Sequence, residues 1–166
     1  MKVLVFHIGA QRYGLPLAGL RQVLPVAALT TLPLAPSYVA GLLDLHGRPV
    51  PVIDLAQLAG LGVSVARFDT RIVVADYAAA DGSVRALGLL LEHVLGVRQI
   101  APGELFESGV RAAAFLGRVA ADGAADGTAD GTADGTADGA AMLQLVEVGQ
   151  LLPAEVRATL FPPDAT

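Results

Sequence analysis

The side chains with chemistry to offer are few, and the densest group lies between Gly41 and Leu55. Asp44, His46 and Arg48 surround Gly47, and Asp54 follows ten residues after Asp44. Two carboxylates and an imidazole at this spacing could serve as an acid–base pair, or as a metal site with Asp44, His46 and Asp54 as ligands. The competing reading is that a carboxylate beside a turn caps backbone N–H groups. Nothing else in the chain completes a catalytic constellation. His7 and His93 are isolated, with no i, i+4 histidine pair, and each reads as a core or interface residue rather than a ligand. There is no Gly-x-Ser-x-Gly elbow and no glycine-rich loop opening a helix. With no cysteine, the chain has no disulfide framework, no thiolate metal site and no cysteine nucleophile.

The elements that must hold this group read as mostly β. Val3–Ile8 is a short apolar run rich in β-branched and aromatic residues, and Gly9–Arg12 is a polar break before Tyr13–Leu17, which together predict a hairpin. Leu20, Val23 and Leu24 have helical spacing over one turn, so Ala18–Leu24 is expected as a short helix or irregular turn stopped by Pro25. Pro33–Val39 is a proline-braced loop leading into a hairpin that turns at His46-Gly47-Arg48. Pro49 and Pro51 cannot donate to a ladder and argue for an edge strand or an irregular entry into one. Leu55–Leu61 is a possible helical turn ending at Gly62, and Arg71–Tyr77 is a clear strand. Asp81-Gly82 signals a tight hairpin into the apolar run Arg85–Val94, and Gly96–Ile100 reads as a further short strand. Glu104–Ala114 reads as a loop, and Phe115–Val119 with Met142–Val148 as a last hairpin. Leu152, Val156 and Leu160 then mark one face of a closing helix ended by Pro162-Pro163. Many short strands and one terminal helix predict barrels or a sandwich rather than βαβ units.

Composition narrows the partners. In 166 residues, 54% are hydrophobic and only 16% charged, enough apolar surface for one folded domain. The net charge is −5, and five of the 16 acidic residues (Asp122, Asp126, Asp130, Asp134 and Asp138) lie in one Ala-Asp-Gly repeat. The remainder therefore balances at 11 against 11 and offers no basic field for nucleic acid or anionic lipid. The repeat, Ala121–Ala140, has no large apolar side chain and no recognised calcium-loop pattern, and is expected to be a disordered loop at a hairpin tip. The uncharged stretch Gln22–Leu43 has the length of a membrane span, but Pro25, Pro33 and Pro36 would break a helix there repeatedly. Met1–Ile8 is too short for the apolar core of a signal peptide.

Several segments, taken in order, carry a family resemblance. Val5–Gly9, Tyr13–Leu17, Val23–Leu34, Pro36–Gly41, Asp44-Leu-His-Gly47 and Val50–Leu55 are similar to corresponding segments of the CheW family, the adaptor proteins of bacterial chemosensory arrays. The similarity continues through Thr70–Val74, Gly88–Val94 and Phe115–Gly117, and resumes at Met142–Val146 and Leu151-Leu152. The resemblance implies a mainly β fold of two small SH3-like five-stranded β-barrels sharing a core, with short helices including one at the C-terminus. It implies one CheW-like domain over residues 1–163 built of two intertwined barrel subdomains. It further implies a cytoplasmic, non-enzymatic adaptor, without cofactor, that joins a methyl-accepting chemoreceptor's cytoplasmic tip to the regulatory domain of a CheA-type histidine kinase. Leu89–Val94 and the proline-rich first half are similar to adaptors of Wsp-type surface-sensing pathways.

Carried over by position, partner binding falls on Leu20, Gln22, Gly41, Asp44, His46, Gly47 and Arg48. The chain departs from the family pattern at this group. Where the family typically has Asn-Leu-Arg-Gly, this sequence has Asp44-Leu45-His46-Gly47, and where a glutamate is usual it has Gln22. A histidine replaces a permanent planar cation with one whose charge depends on pH, unless Arg48 supplies the charge instead. Two alternatives from other classes remain: a small metal-dependent enzyme using Asp44, His46 and Asp54, and a small-molecule sensor, which requires a ligand-sized apolar cavity between the barrels.

Overall fold

The computed structural model describes residues 1–65, 67–109, 113–121 and 142–163. The expected disordered repeat, beyond Ala121, lies outside the described residues. Among the described residues ten strands run in the order β1 (Lys2–Ile8), β2 (Gln11–Pro16), β3 (Leu20–Pro25), β4 (Val39–Leu45), β5 (Arg48–Asp54), β6 (Arg71–Ala78), β7 (Val84–Gln99), β8 (Leu105–Glu107), β9 (Leu116–Ala121) and β10 (Met142–Val146). Helix α1 (Leu55–Leu58) follows β5, and helix α2 (Ala154–Leu160) follows β10.

Two SH3-like barrels share strand β7. Its first half pairs antiparallel with β6 and parallel with the end of β5, and β3 and β4 flank these in turn. Its second half pairs with β1, which continues through β2, β10 and β9 to β8. The strand passes between barrels where His93 (φ +48°) and Gly96 (φ +146°) turn the backbone. At the same place the β1–β7 register slips on both sides of Phe6.

Alternation along the strands divides the apolar residues among three cores. Val3 and Val5 of β1 pack with Ile100, Ala120, Leu143 and Leu145 inside the first barrel. Leu43, Val50, Val52, Ile72 and Val74 fill the second. The opposite faces of the same strands, with Leu4, Phe6 and Ile8 from β1 and Leu87, Leu89 and Leu91 from β7, meet in a shared core closed by Leu151, Leu152 and Phe161. A strand buried on both faces has no polar side to alternate, which is why β1 and β7 read as continuous apolar runs. Gly88 is needed at this junction because a Cβ there would lie 2.8 Å from Val52 Cγ2 across the parallel β5–β7 pair.

Several expectations need correction. Ala18–Leu24 is not helical: Leu20–Pro25 is strand β3, whose half-buried Leu20, Gln22 and Leu24 alternate with exposed neighbours. Leu20 and Leu24 share a face in a strand as they would in a helix, while Val23 is exposed, and pairing to β6 overrides the single turn of local preference. The separate strand expected at Gly96–Ile100 is the second half of β7. Within the expected loop Glu104–Ala114, Leu105–Glu107 forms β8, paired with β9. The proline argument holds in a position-dependent way: β5 is an edge at Pro49 and Pro51, where only β4 pairs, and gains β7 from Val52 onward. No helix among the described residues is long and apolar enough to cross a membrane.

Candidate functional site

The β4–β5 hairpin builds its tip from four residues. Leu45 pairs with Arg48 across the turn, and His46 (φ +54°) and Gly47 (φ +82°) occupy the two central positions. Positive φ at both is the type I′ geometry whose twist matches the flanking strands, and histidine tolerates it far better than a β-branched residue. Asp44 Oδ1 accepts a hydrogen bond from Gly47 N at 2.8 Å, so this carboxylate locks the turn. His46, Gly47 and Arg48 are left exposed at the tip.

Asp54 has a different fate. It is buried, caps α1 by accepting from Gln57 N at 3.4 Å, and holds the following loop through Ser64 N at 2.8 Å and Ser64 Oγ at 2.5 Å. Both carboxylates of the supposed acid–base or metal group are thus committed to backbone and hydroxyl donors. Among the described residues no group of three or more His, Asp or Glu could hold a metal ion. What the arrangement leaves exposed at the tip is the His46 imidazole and the Arg48 guanidinium.

The remaining candidates are not at this tip. Gly41 is buried in β4 at φ +146°, and a Cβ on it would lie 2.6 Å from Thr30 O. That close approach lets Thr30 and Leu42 exchange two backbone hydrogen bonds, of 2.9 and 2.7 Å, which tie the segment after β3 to β4 and close the second barrel. Leu20 and Gln22 sit on β3, which pairs with β6 rather than β4. Leu20 packs against the shared core, and Gln22 lies opposite Val74. Beside them, Arg21 pairs with Asp76 on the exposed face.

A second polar group had no signal in the sequence. The loop before β6 is fastened from several directions: Glu92 accepts from Val65 N at 2.9 Å, Thr70 Oγ1 accepts from Arg67 N and donates to Val65 O, and Arg71 donates to Phe68 O. Asp69 pairs with His93 Nδ1 at 2.7 Å at the bend of β7. This bonded imidazole, with Arg67 nearby, holds the Asp69 carboxyl below the usual carboxylate range. His7, half-buried on β1, has its ring 6.1 Å from that of His93. His93 therefore belongs to a strap across the barrel junction, and only the fold brings it to Asp69.

Residues 2–155 match the CheW-like domain family. The chain belongs to that family. Among its relatives, protein FrzA of Myxococcus xanthus is 34% identical over 122 residues, 71% of this chain and 73% of that protein. Chemotaxis protein CheW of Thermotoga maritima is 29% identical over 104 residues, 63% of this chain and 65% of that protein. The fold is similar to the crystal structure of the scaffolding protein TtCheW from Thermoanaerobacter tengcongensis. The TM-score is 0.72 at 22% identity, covering 92% of this chain and 94% of that one. The relative from Thermotoga maritima is named a chemotaxis protein and the structural neighbour a scaffolding protein, and as a member of the CheW-like family the chain is not an enzyme.

Proposed function

We propose that this CheW-like protein is a cytoplasmic adaptor that couples the cytoplasmic tip of a methyl-accepting chemoreceptor to the regulatory domain of a CheA-type histidine kinase. The observation that carries the reading is the β4–β5 tip: a rigid type I′ turn displays His46 and Arg48 while Asp44 and Asp54 are consumed in structure. Such a turn recognises a partner without catalytic groups. Leu20 and Gln22 on β3 contribute a second contact strip, and Gly41 acts beneath the surface by closing the barrel. Charges at an exposed rim set partner choice and association rate more than affinity, so His46 in place of the family's usual arginine fits a receptor of altered electrostatics.

Pull-down with the neighbouring receptor tip and kinase regulatory domain tests the reading. Both should be retained. His46→Arg should change receptor affinity by about two- to fivefold, the scale of one exposed charge contact. An unchanged affinity with His46→Arg would remove the turn from the interface.

A further inference from the structure

The link between β3 and β4 carries a leucine where its backbone asks for another residue. Ala35 N donates to Leu32 O across Pro33 and Leu34, and Leu34 has φ +65°. Proline in second place and a left-handed residue in third is the pattern of a type II turn, whose third position ordinarily holds glycine or asparagine. A bulky side chain is a true outlier there. The same side chain is fully exposed, at 105%, the most of any large hydrophobic among the described residues. Pro33 and Pro36 fix φ on either side of it. The turn thus holds an aliphatic knob in water against both its backbone preference and the hydrophobic effect, and backbone outliers of this kind concentrate at functional surfaces.

Beside the knob lies a hollow of matching chemistry. A groove of about 380 Å³ runs between this link and α2, walled by Leu32, Pro33, Ala35, Pro36, Val156 and Leu160, with Leu34 on its border. Leu32, Ala35, Val156 and Leu160 pack on the shared core, so the walls are fixed. Glu155 and Thr159 complete the lining, and Thr159 Oγ1 is turned back onto Glu155 O at 3.0 Å. Among the described residues no cation lines the groove, and Glu155 disfavours an acidic visitor, so an uncharged aliphatic side chain fits best. A knob and a groove on different faces would join copies head to tail into open chains. Side by side on one face, they suit a two-fold contact in which each knob enters the other copy's groove and both contacts form together.

We propose that this face is a self-docking surface: a second copy of the chain pairs with the first about a two-fold axis, the Leu34 of each seated between the β3–β4 link and α2 of the other. One side chain and one groove from each copy fall well short of a standard interface of about 1,600 Å², so the dimer is weak, with a Kd on the order of 100 μM. The contact is separate from the β4–β5 tip and needs neither receptor nor kinase, so its failure leaves the adaptor reading untouched.

Sedimentation equilibrium of the full-length protein alone, from about 10 μM to 1 mM, tests the proposal, with ¹H–¹⁵N spectra over the same range. The expected result is an average mass rising from 16.9 kDa towards twice that value, with concentration-dependent shifts at Leu34, Val156 and Thr159. Leu34→Asn, which suits the left-handed turn and removes the knob, should weaken association at least tenfold without loss of resistance to urea. Thr159→Arg, which puts a charge into the groove from an exposed helical position, should weaken it as much and serves as the second, independent variant. A protein that stays monomeric at 1 mM, a dimer unaffected by both variants, or a mass that keeps growing beyond two copies would each overturn the proposal. So would loss of receptor-tip or kinase-domain binding in Leu34→Asn while the wild type alone remains monomeric, which would give the groove to a different protein.

Discussion

Gly41→Ala is the substitution whose outcome the structure fixes most sharply. The added Cβ meets three atoms at once: Thr30 O at 2.6 Å, Leu29 Cβ at 3.1 Å and the Thr30 carbonyl carbon at 3.2 Å. The nearest is backbone, so it cannot rotate away, and that carbonyl accepts the 2.7 Å bond from Leu42 N. Forcing the segment outward costs roughly 1–3 kcal/mol as overpacking. Placing alanine at φ +146° adds a penalty of order 1–3 kcal/mol. A combined loss of about 3 kcal/mol corresponds to about 6–12 °C in Tm for a chain of this size. Gly47→Ala is the internal control. Its φ is also positive, +82°, but no atom lies within 4 Å of the added Cβ, and it should cost only about 1 kcal/mol. Urea unfolding gives the two losses, and amide exchange at Thr30 and Leu42 shows whether the bridge opens in Gly41→Ala. Equal losses in the two variants, or a Thr30–Leu42 pair that stays protected in Gly41→Ala, would refute the barrel-closure role.

Other outcomes follow from the same contacts. Asp54→Ala removes a helix cap and the Ser64 anchor together and should cost about 2–3 kcal/mol in urea unfolding, with metal content by elemental analysis unchanged from wild type. The Asp69 carboxyl is lowered by its bond to His93, so its contribution is fully present above the ordinary aspartate value of about 3.9 and is lost as pH falls through the lowered folded value. Exchange protection of the Val94 amide, which donates to Asp69 O, should therefore fall below about pH 4, and His93→Ala, which removes the bond that lowers Asp69, should lower that protection at neutral pH and abolish its acid-dependent fall. His46→Val puts a β-branched residue at φ +54° and should cost about 1–2 kcal/mol in urea unfolding, whereas His46→Asn should be neutral or stabilising.

Much of the fold was legible because turn chemistry is local. Asp81-Gly82 predicts the β6–β7 hairpin, and the structure delivers it, with Gly82 at φ +83° and Asp81 accepting from Ser83 N at 2.9 Å. The i, i+4, i+8 spacing of Leu152, Val156 and Leu160 marked the face on which α2 packs against the shared core. What the sequence hid were features created by pairing at a distance. Leu20 and Leu24 lie on one face of a strand as they would of a helix, so only the pairing of β3 with β6 decides between the two, and the sharing of β7 between barrels turned one 16-residue strand into two apparent ones. At the candidate site, a polar group at the hairpin turn was readable from Asp44 to Arg48. The division of labour among those residues was not, because it depends on Ser64 reaching Asp54 and on Thr30 reaching under Gly41. The His93–Asp69 pair spans 24 residues and has no periodic signature.

The central claim is that the chain is a scaffold holding two partners at once. Sedimentation velocity of the purified protein with the receptor's cytoplasmic tip and the kinase regulatory domain measures this directly. The account predicts a ternary species larger than either binary complex, with the receptor-dependent part weakened when the β4–β5 tip is altered at His46 and Arg48. Sedimentation as three separate components at concentrations well above micromolar would contradict it.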